Sequence, residues 1–145
     1  MKFLTLFFLL APGAASADAR VTPYIDHALG ITETELGAIH SGQYQYYRPE
    51  TIRSIITQLL ADERSAATVA TDEDGRQALR DLDRSLDEEF QYSFRFQYYR
   101  LASTELLVLN WARLFRLARD SELANDNPSH QPCNVDPASR VGCLN

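Results

Sequence analysis

Lysine is all but missing from this chain: Lys2 is the only one, and the other 13 of the 14 basic residues are arginine. GC-rich coding produces the same bias, so no chemistry is read from it. What the charge balance does exclude is a phosphate backbone, because 20 acidic residues leave a formal net charge of −6 and nucleic acid would be repelled on average. Cysteine is nearly as scarce. Cys133 and Cys143 are the only two, too few for a disulfide-built fold. Long apolar runs are absent after the first few residues. Between Arg76 and Leu123 there is neither glycine nor proline, which removes the usual helix breakers from the second half. The chain also lacks a Gly-x-Ser-x-Gly elbow, a phosphate-cradling glycine loop, a His-Glu-x-x-His zinc motif and a dinucleotide fingerprint, so no familiar reaction is announced.

What is present begins with an address. Lys2, the apolar run Phe3 to Leu10 and the small residues Ala15-Ser16-Ala17 have the form of a cleavable secretory signal over residues 1–17. The run is well short of the roughly 20 apolar residues a membrane-spanning helix needs. The mature protein is therefore expected to start at Asp18 and to be exported, secreted or periplasmic, without a membrane span. In that compartment oxidation is permitted. Cys133 and Cys143 are expected to pair and close a short loop in an irregular tail, residues 125–145, marked by Asn127, Pro128, Pro132 and Pro137.

Residues 18–124 read as one helical domain. Thr22-Pro23 and Gly30 suggest a short helix from Pro23 to Leu29, followed by a second one opened by a Thr32 to Glu35 capping box and ended near Ser41-Gly42. After Pro49, the residues Ile52, Ile55, Ile56, Leu59 and Leu60 share one helical face. Ser65 to Thr71 looks like a frayed end or a linker, with Thr71 capping the next helix. Leu79, Leu82, Leu86 and Phe90 continue the pattern, and Leu107, Val108, Trp111, Leu114, Phe115 and Ala118 form a broad apolar face. Leu106, Leu109 and Leu117 lie off that face, which predicts a last helix buried on several sides. Residues 90–98 alternate aromatic and polar side chains as a strand would, but Phe90, Phe94 and Tyr98 also fit helical spacing, and the flanking patterns favour helix. The expected fold is all-α: a small bundle of about four main helices, with Trp111, Phe115, Leu107, Ile55, Ile56 and Leu59 at its centre.

Candidate chemistry is sparse. Asp72-Glu73-Asp74-Gly75 with Asp81 resembles part of a calcium loop, but Ala70 stands where the first carboxylate should be, and helix capping accounts for the same residues. His27, His40 and His130 have no metal-binding spacing, so no metal or cofactor is expected. The distinctive feature is tyrosine with arginine. Gln45-Tyr46-Tyr47-Arg48 recurs as Gln97-Tyr98-Tyr99-Arg100, a faint echo that would suit two related helical hairpins about a pseudo-twofold axis or would be coincidence. Tyr44, Tyr46, Tyr47, Arg48, Tyr98, Tyr99 and Arg100 form the candidate binding set, since both residue types are enriched at interfaces. Most of the rings are expected to fill the core, with two or three tyrosines left exposed. The functional expectation is a noncatalytic protein-interaction module. A carrier or sensor of a small apolar ligand is the alternative, and a hydrolase centred on His27 or His40 is the third reading.

Overall fold

The structure is a computed structural model that describes residues 17–126, with side chains from 20 to 125. The expected signal segment, the tail and the Cys133-Cys143 pair lie outside the described residues. Four helices, α1 (Ala17–His40), α2 (Pro49–Val69), α3 (Glu73–Ser93) and α4 (Leu101–Asp126), are accompanied by two short strands, β1 (Tyr46–Tyr47) and β2 (Tyr99–Arg100). Each helix packs on its two neighbours in the ring α1-α2-α3-α4. His40 at the end of α1 meets Glu105 at the start of α4, whereas Asp26 near the start of α1 meets Arg119 near the end of α4. The bundle thus runs up-down-up-down, and both strand-bearing connections lie at one end.

The largest fully buried side chains include Trp111, Phe115, Ile25, Ile52, Ile56, Leu59, Leu79, Leu82 and Leu86. Five of the six expected central residues are buried, but Leu107 is only partly so. Trp111 Nε1 donates to Ser85 Oγ at 3.2 Å, which satisfies the one polar atom that its burial would otherwise orphan.

Two expected short helices are in fact one. α1 passes through Pro23, Gly30 and Gly37 without a break, because Val21, Ile25, Ala28, Leu29, Thr32 and Ile39 are all buried along it. Packing of that stripe outweighs the local cost of a glycine, about 1 kcal/mol, and of one missing amide donor. Thr32 is therefore no cap; its hydroxyl donates to the Leu29 carbonyl at 2.8 Å. α2 likewise runs on through the supposed linker to Val69. The cap of α3 is Asp72, whose carboxylate accepts from the Gly75 amide at 2.8 Å, and not Thr71.

Thr71 has another role. Its amide and the amide of Asp72 both donate to Glu122 Oε1, at 2.7 and 2.8 Å, while its hydroxyl donates to Oε2. A carboxylate from α4 thus holds the α2-α3 connection, at the end opposite the strands. Gly75 sits beneath it: a Cβ there would stand 3.3 Å from both the Ala118 carbonyl and Glu122 Oε1, so glycine lets α3 and α4 approach.

Residues 90–98 are neither one helix nor one strand. α3 ends at Ser93, whose hydroxyl turns back to the Phe90 carbonyl at 2.6 Å, and a turn over 94–98 leads into β2. No glycine or proline makes this break. It comes from pairing with β1, in antiparallel register Tyr46 to Arg100 and Tyr47 to Tyr99.

Candidate functional site

The two tyrosine-arginine segments meet at the strand-bearing end, 52 positions apart in sequence from Gln45 to Gln97. The register pairs Tyr47 with Tyr99, the same position of the echo on both sides, so a local twofold axis passes between them. The surroundings obey the same relation. Tyr44 packs on Tyr47 with ring centroids 5.2 Å apart and planes at 58°, and Phe96 packs on Tyr99 with the same separation and tilt. Tyr47 donates its hydroxyl to Glu35 at 2.7 Å, and Tyr99 donates to Glu89 at 2.7 Å; each carboxylate lies on the preceding helix, 12 residues before its tyrosine in the first hairpin and 10 in the second, so the two match in role and not in register. Tyr46 and Tyr98 touch edge to face across the axis at 6.0 Å. The echo is a structural equivalence at this end of the molecule.

Within the candidate set the two halves of each Tyr-Tyr pair have different jobs. Tyr47 and Tyr99 are buried, and burial, the hydrogen bond to a glutamate and that glutamate's charge push both phenols well above the ordinary tyrosine range. They are framework, locked neutral. Tyr44, Tyr46, Arg48, Tyr98 and Arg100 are exposed, and the same end adds Tyr92, Phe94 and Phe96. This corrects the expectation that most rings would fill the core: a four-helix interior already occupied by Trp111, Phe115 and the aliphatic stripe has no room for them, and the short turns hold them outward.

The arginines divide in the same way. Arg53 is engaged, donating to Ser93 Oγ at 3.0 Å and lying 4.2 Å over the Phe94 ring. Among the described residues Arg48 and Arg100 make no ion pair, and the Arg95 guanidinium lies 5.1 Å over the Tyr92 ring.

Two surface grooves flank the axis. The groove of the first hairpin, about 430 Å³, is bordered by Gln43, Tyr44, Gln45, Tyr46, Tyr47, Arg48 and Thr51. That of the second, about 900 Å³, has their seven counterparts, Arg95 to Arg100 and Ser103, and adds Glu89, Tyr92, Leu106, Leu107 and Asn110. Sequence reasoning missed these additions. Leu106 is 70% exposed and forms part of the groove wall; its place off the apolar face of α4 was the available signal, and the expectation of burial on several sides inverted it. Leu109 and Leu117 are exposed as well, on the side of α4 turned away from α1 and α3, its main neighbours among the described residues.

His27 and His40 do find carboxylates, whereas His130 lies outside the described residues. His27 Nδ1 lies 2.6 Å from Asp62, and His40 Nε2 lies 2.6 Å from Glu105. The hydroxyl of Thr34, which shares a groove with His27, donates to the Gly30 carbonyl, and that of Ser41, next to His40 in sequence, donates to the Ala38 carbonyl. Among the described residues no group of three His, Cys, Asp or Glu side chains is placed to hold a metal, and no helix is long and apolar enough to cross a membrane. One acidic group stands out in the interior. Glu63 is buried on α2, and burial first, then the negative charge of Asp83 on α3, raise its pKa to about 7 against a weaker opposing pull from Arg64. The chain matches no protein-family model, no curated protein and no solved structure.

Proposed function

We propose that this protein is an exported, noncatalytic interaction module that receives a partner protein on the strand-bearing end of its bundle. The observation that carries the reading is the concentration there of exposed Tyr44, Tyr46, Tyr92, Phe94, Phe96 and Tyr98 beside the exposed Arg48 and Arg100. Large apolar rings left in water without covering are costly, and a contiguous patch of them with arginine has the composition of an interface core. The buried Tyr47-Tyr99 pair holds the patch in place, which limits the ordering cost of binding.

A photo-crosslinking amino acid installed at Tyr46 or Tyr98 in the native host tests the reading, with Arg84 on the exposed face of α3 as control. A discrete adduct from the first two positions and none from Arg84 is expected; no adduct, or the same adducts from all three, refutes it. A second reading is favoured by one observation, the groove of about 900 Å³, which is within the usual range for small-molecule sites. Native mass spectrometry of protein from its own host would show a bound apolar compound.

A further inference from the structure

We infer that the larger groove seats an acidic-apolar segment of the partner, an extended stretch in which a bulky apolar side chain stands beside Asp or Glu. The inference rests on the interaction reading above and names the chemistry of the partner. Its starting point is the local twofold axis, which gives two grooves built from equivalent strand and turn positions, so their differences isolate what one of them has acquired. At the positions of Ser54, Ile55 and His40 in the first hairpin, the second carries Leu106, Leu107 and Tyr92. The exchange of serine for Leu106 and of His40 for Tyr92 gives the second groove an apolar and aromatic wall and accompanies a volume about twice as large.

Charge then selects the occupant. Rings alone would suit a cation through their π faces, but Arg95 and Arg100 stand on the wall of the same groove and form no ion pair among the described residues. The one acid among the described lining residues, Glu89, accepts the Tyr99 hydroxyl through Oε1 and keeps its charge, so the two arginines outweigh it by a single positive charge. A cationic segment would meet two guanidinium groups, of which Arg95 lies over the Tyr92 ring, whereas an acidic one gains charge-assisted hydrogen bonds from them. The chain as a whole is acidic, with a net charge of −6. An acidic partner is therefore repelled from the surface at large and admitted at this end, which fixes its orientation.

The test uses the secreted protein and three fluorescent decapeptides that alternate Phe or Leu with Glu, with Gln or with Lys. Fluorescence anisotropy should show the Glu peptide binding at least tenfold more tightly than the Gln peptide, and the Lys peptide most weakly. Arg95→Gln with Arg100→Gln should erase the difference between Glu and Gln, and Leu106→Ser should weaken both by about tenfold. These side chains are exposed, so the circular dichroism melt should not move. Equal binding of Glu and Gln peptides, a preference for Lys, no binding at all, or indifference to Leu106→Ser each overturns the inference. The crosslinked partner segment separates its failure from that of the broader reading. A Tyr98 adduct on a neutral or basic segment sinks the inference alone, and absence of any adduct sinks both.

Discussion

Replacing Glu63 by glutamine should change how stability depends on pH and little else. Glu63 is 3% exposed, and one of its carboxyl oxygens has no hydrogen-bond partner. Its pKa rises from 4.5 to about 7 because burial disfavours the charged form and Asp83 adds like charge. In this window the folded protein keeps a proton that the unfolded chain releases, so stability falls as pH climbs from about 4.5 and the loss is complete above about 7. At about 1.4 kcal/mol per pH unit the interval corresponds to about 3 kcal/mol, a large part of the 5–15 kcal/mol a domain commonly has. Glutamine cannot ionise and keeps nearly the size and shape of the protonated acid. Urea unfolding followed by the fluorescence of Trp111, the only tryptophan, should give matching stabilities for the two proteins near pH 4.5. At pH 8 the variant should be more stable by about 2–3 kcal/mol. Asp83→Asn should reduce the pH-dependent loss only in part, since burial is the larger cause. Parallel stability curves for Glu63→Gln and the parent would refute the reasoning.

Three further outcomes follow from the same contacts. Glu122→Ala should cost about 2–4 kcal/mol by leaving the Thr71 and Asp72 amides unsatisfied, with amide hydrogen exchange accelerated first at those two positions. Tyr47→Phe and Tyr99→Phe, which each remove one hydroxyl bond to a glutamate, should cost about 1 kcal/mol apiece. The double variant should also lose the last-ionising component of the alkaline absorbance titration. Phe115→Ala at the fully buried centre of α4 should cost about 3–5 kcal/mol in denaturant unfolding, while Leu109→Ala on the exposed side should stay within about 0.5 kcal/mol.

The interior was legible wherever apolar periodicity was regular. Ile52, Ile56 and Leu59 on α2 and Trp111 and Phe115 on α4 sit where a 3.6-residue period puts them, and all are buried. Legibility failed where a distant segment decides the local outcome. Thr32 carries a plausible capping box, yet burial against the neighbouring helices keeps α1 running through Gly30. The break after Ser93 has no breaker residue, because its cause is a strand partner some fifty residues earlier. The off-face leucines of α4 were ambiguous in principle: hydrophobicity alone does not distinguish a helix covered on many sides from one with an exposed stripe, and the ring of neighbours decides. At the candidate site the segments were readable but their division of labour was not. Two adjacent tyrosines look alike until the strand pleat sends Tyr47 inward and Tyr46 outward.

That alternation also explains why the end of the bundle can be stable and exposed at once. A two-stranded pair of two residues per strand is far too short to hold itself together in water. Here each strand contributes one ring to the inside, where Tyr47 and Tyr99 are hydrogen-bonded to glutamates on α1 and α3, and so is tied to the helix before it. The outward residues of the same strands, Tyr46 and Arg100, face each other in the register and carry no part of that anchoring. Substituting them should change what the surface can hold without loosening the fold, whereas substituting Tyr47 or Tyr99 should do both. The separation gives experiments on this end a built-in control. A loss of partner contact on changing Tyr46 or Arg100 at constant melting temperature reports on recognition itself.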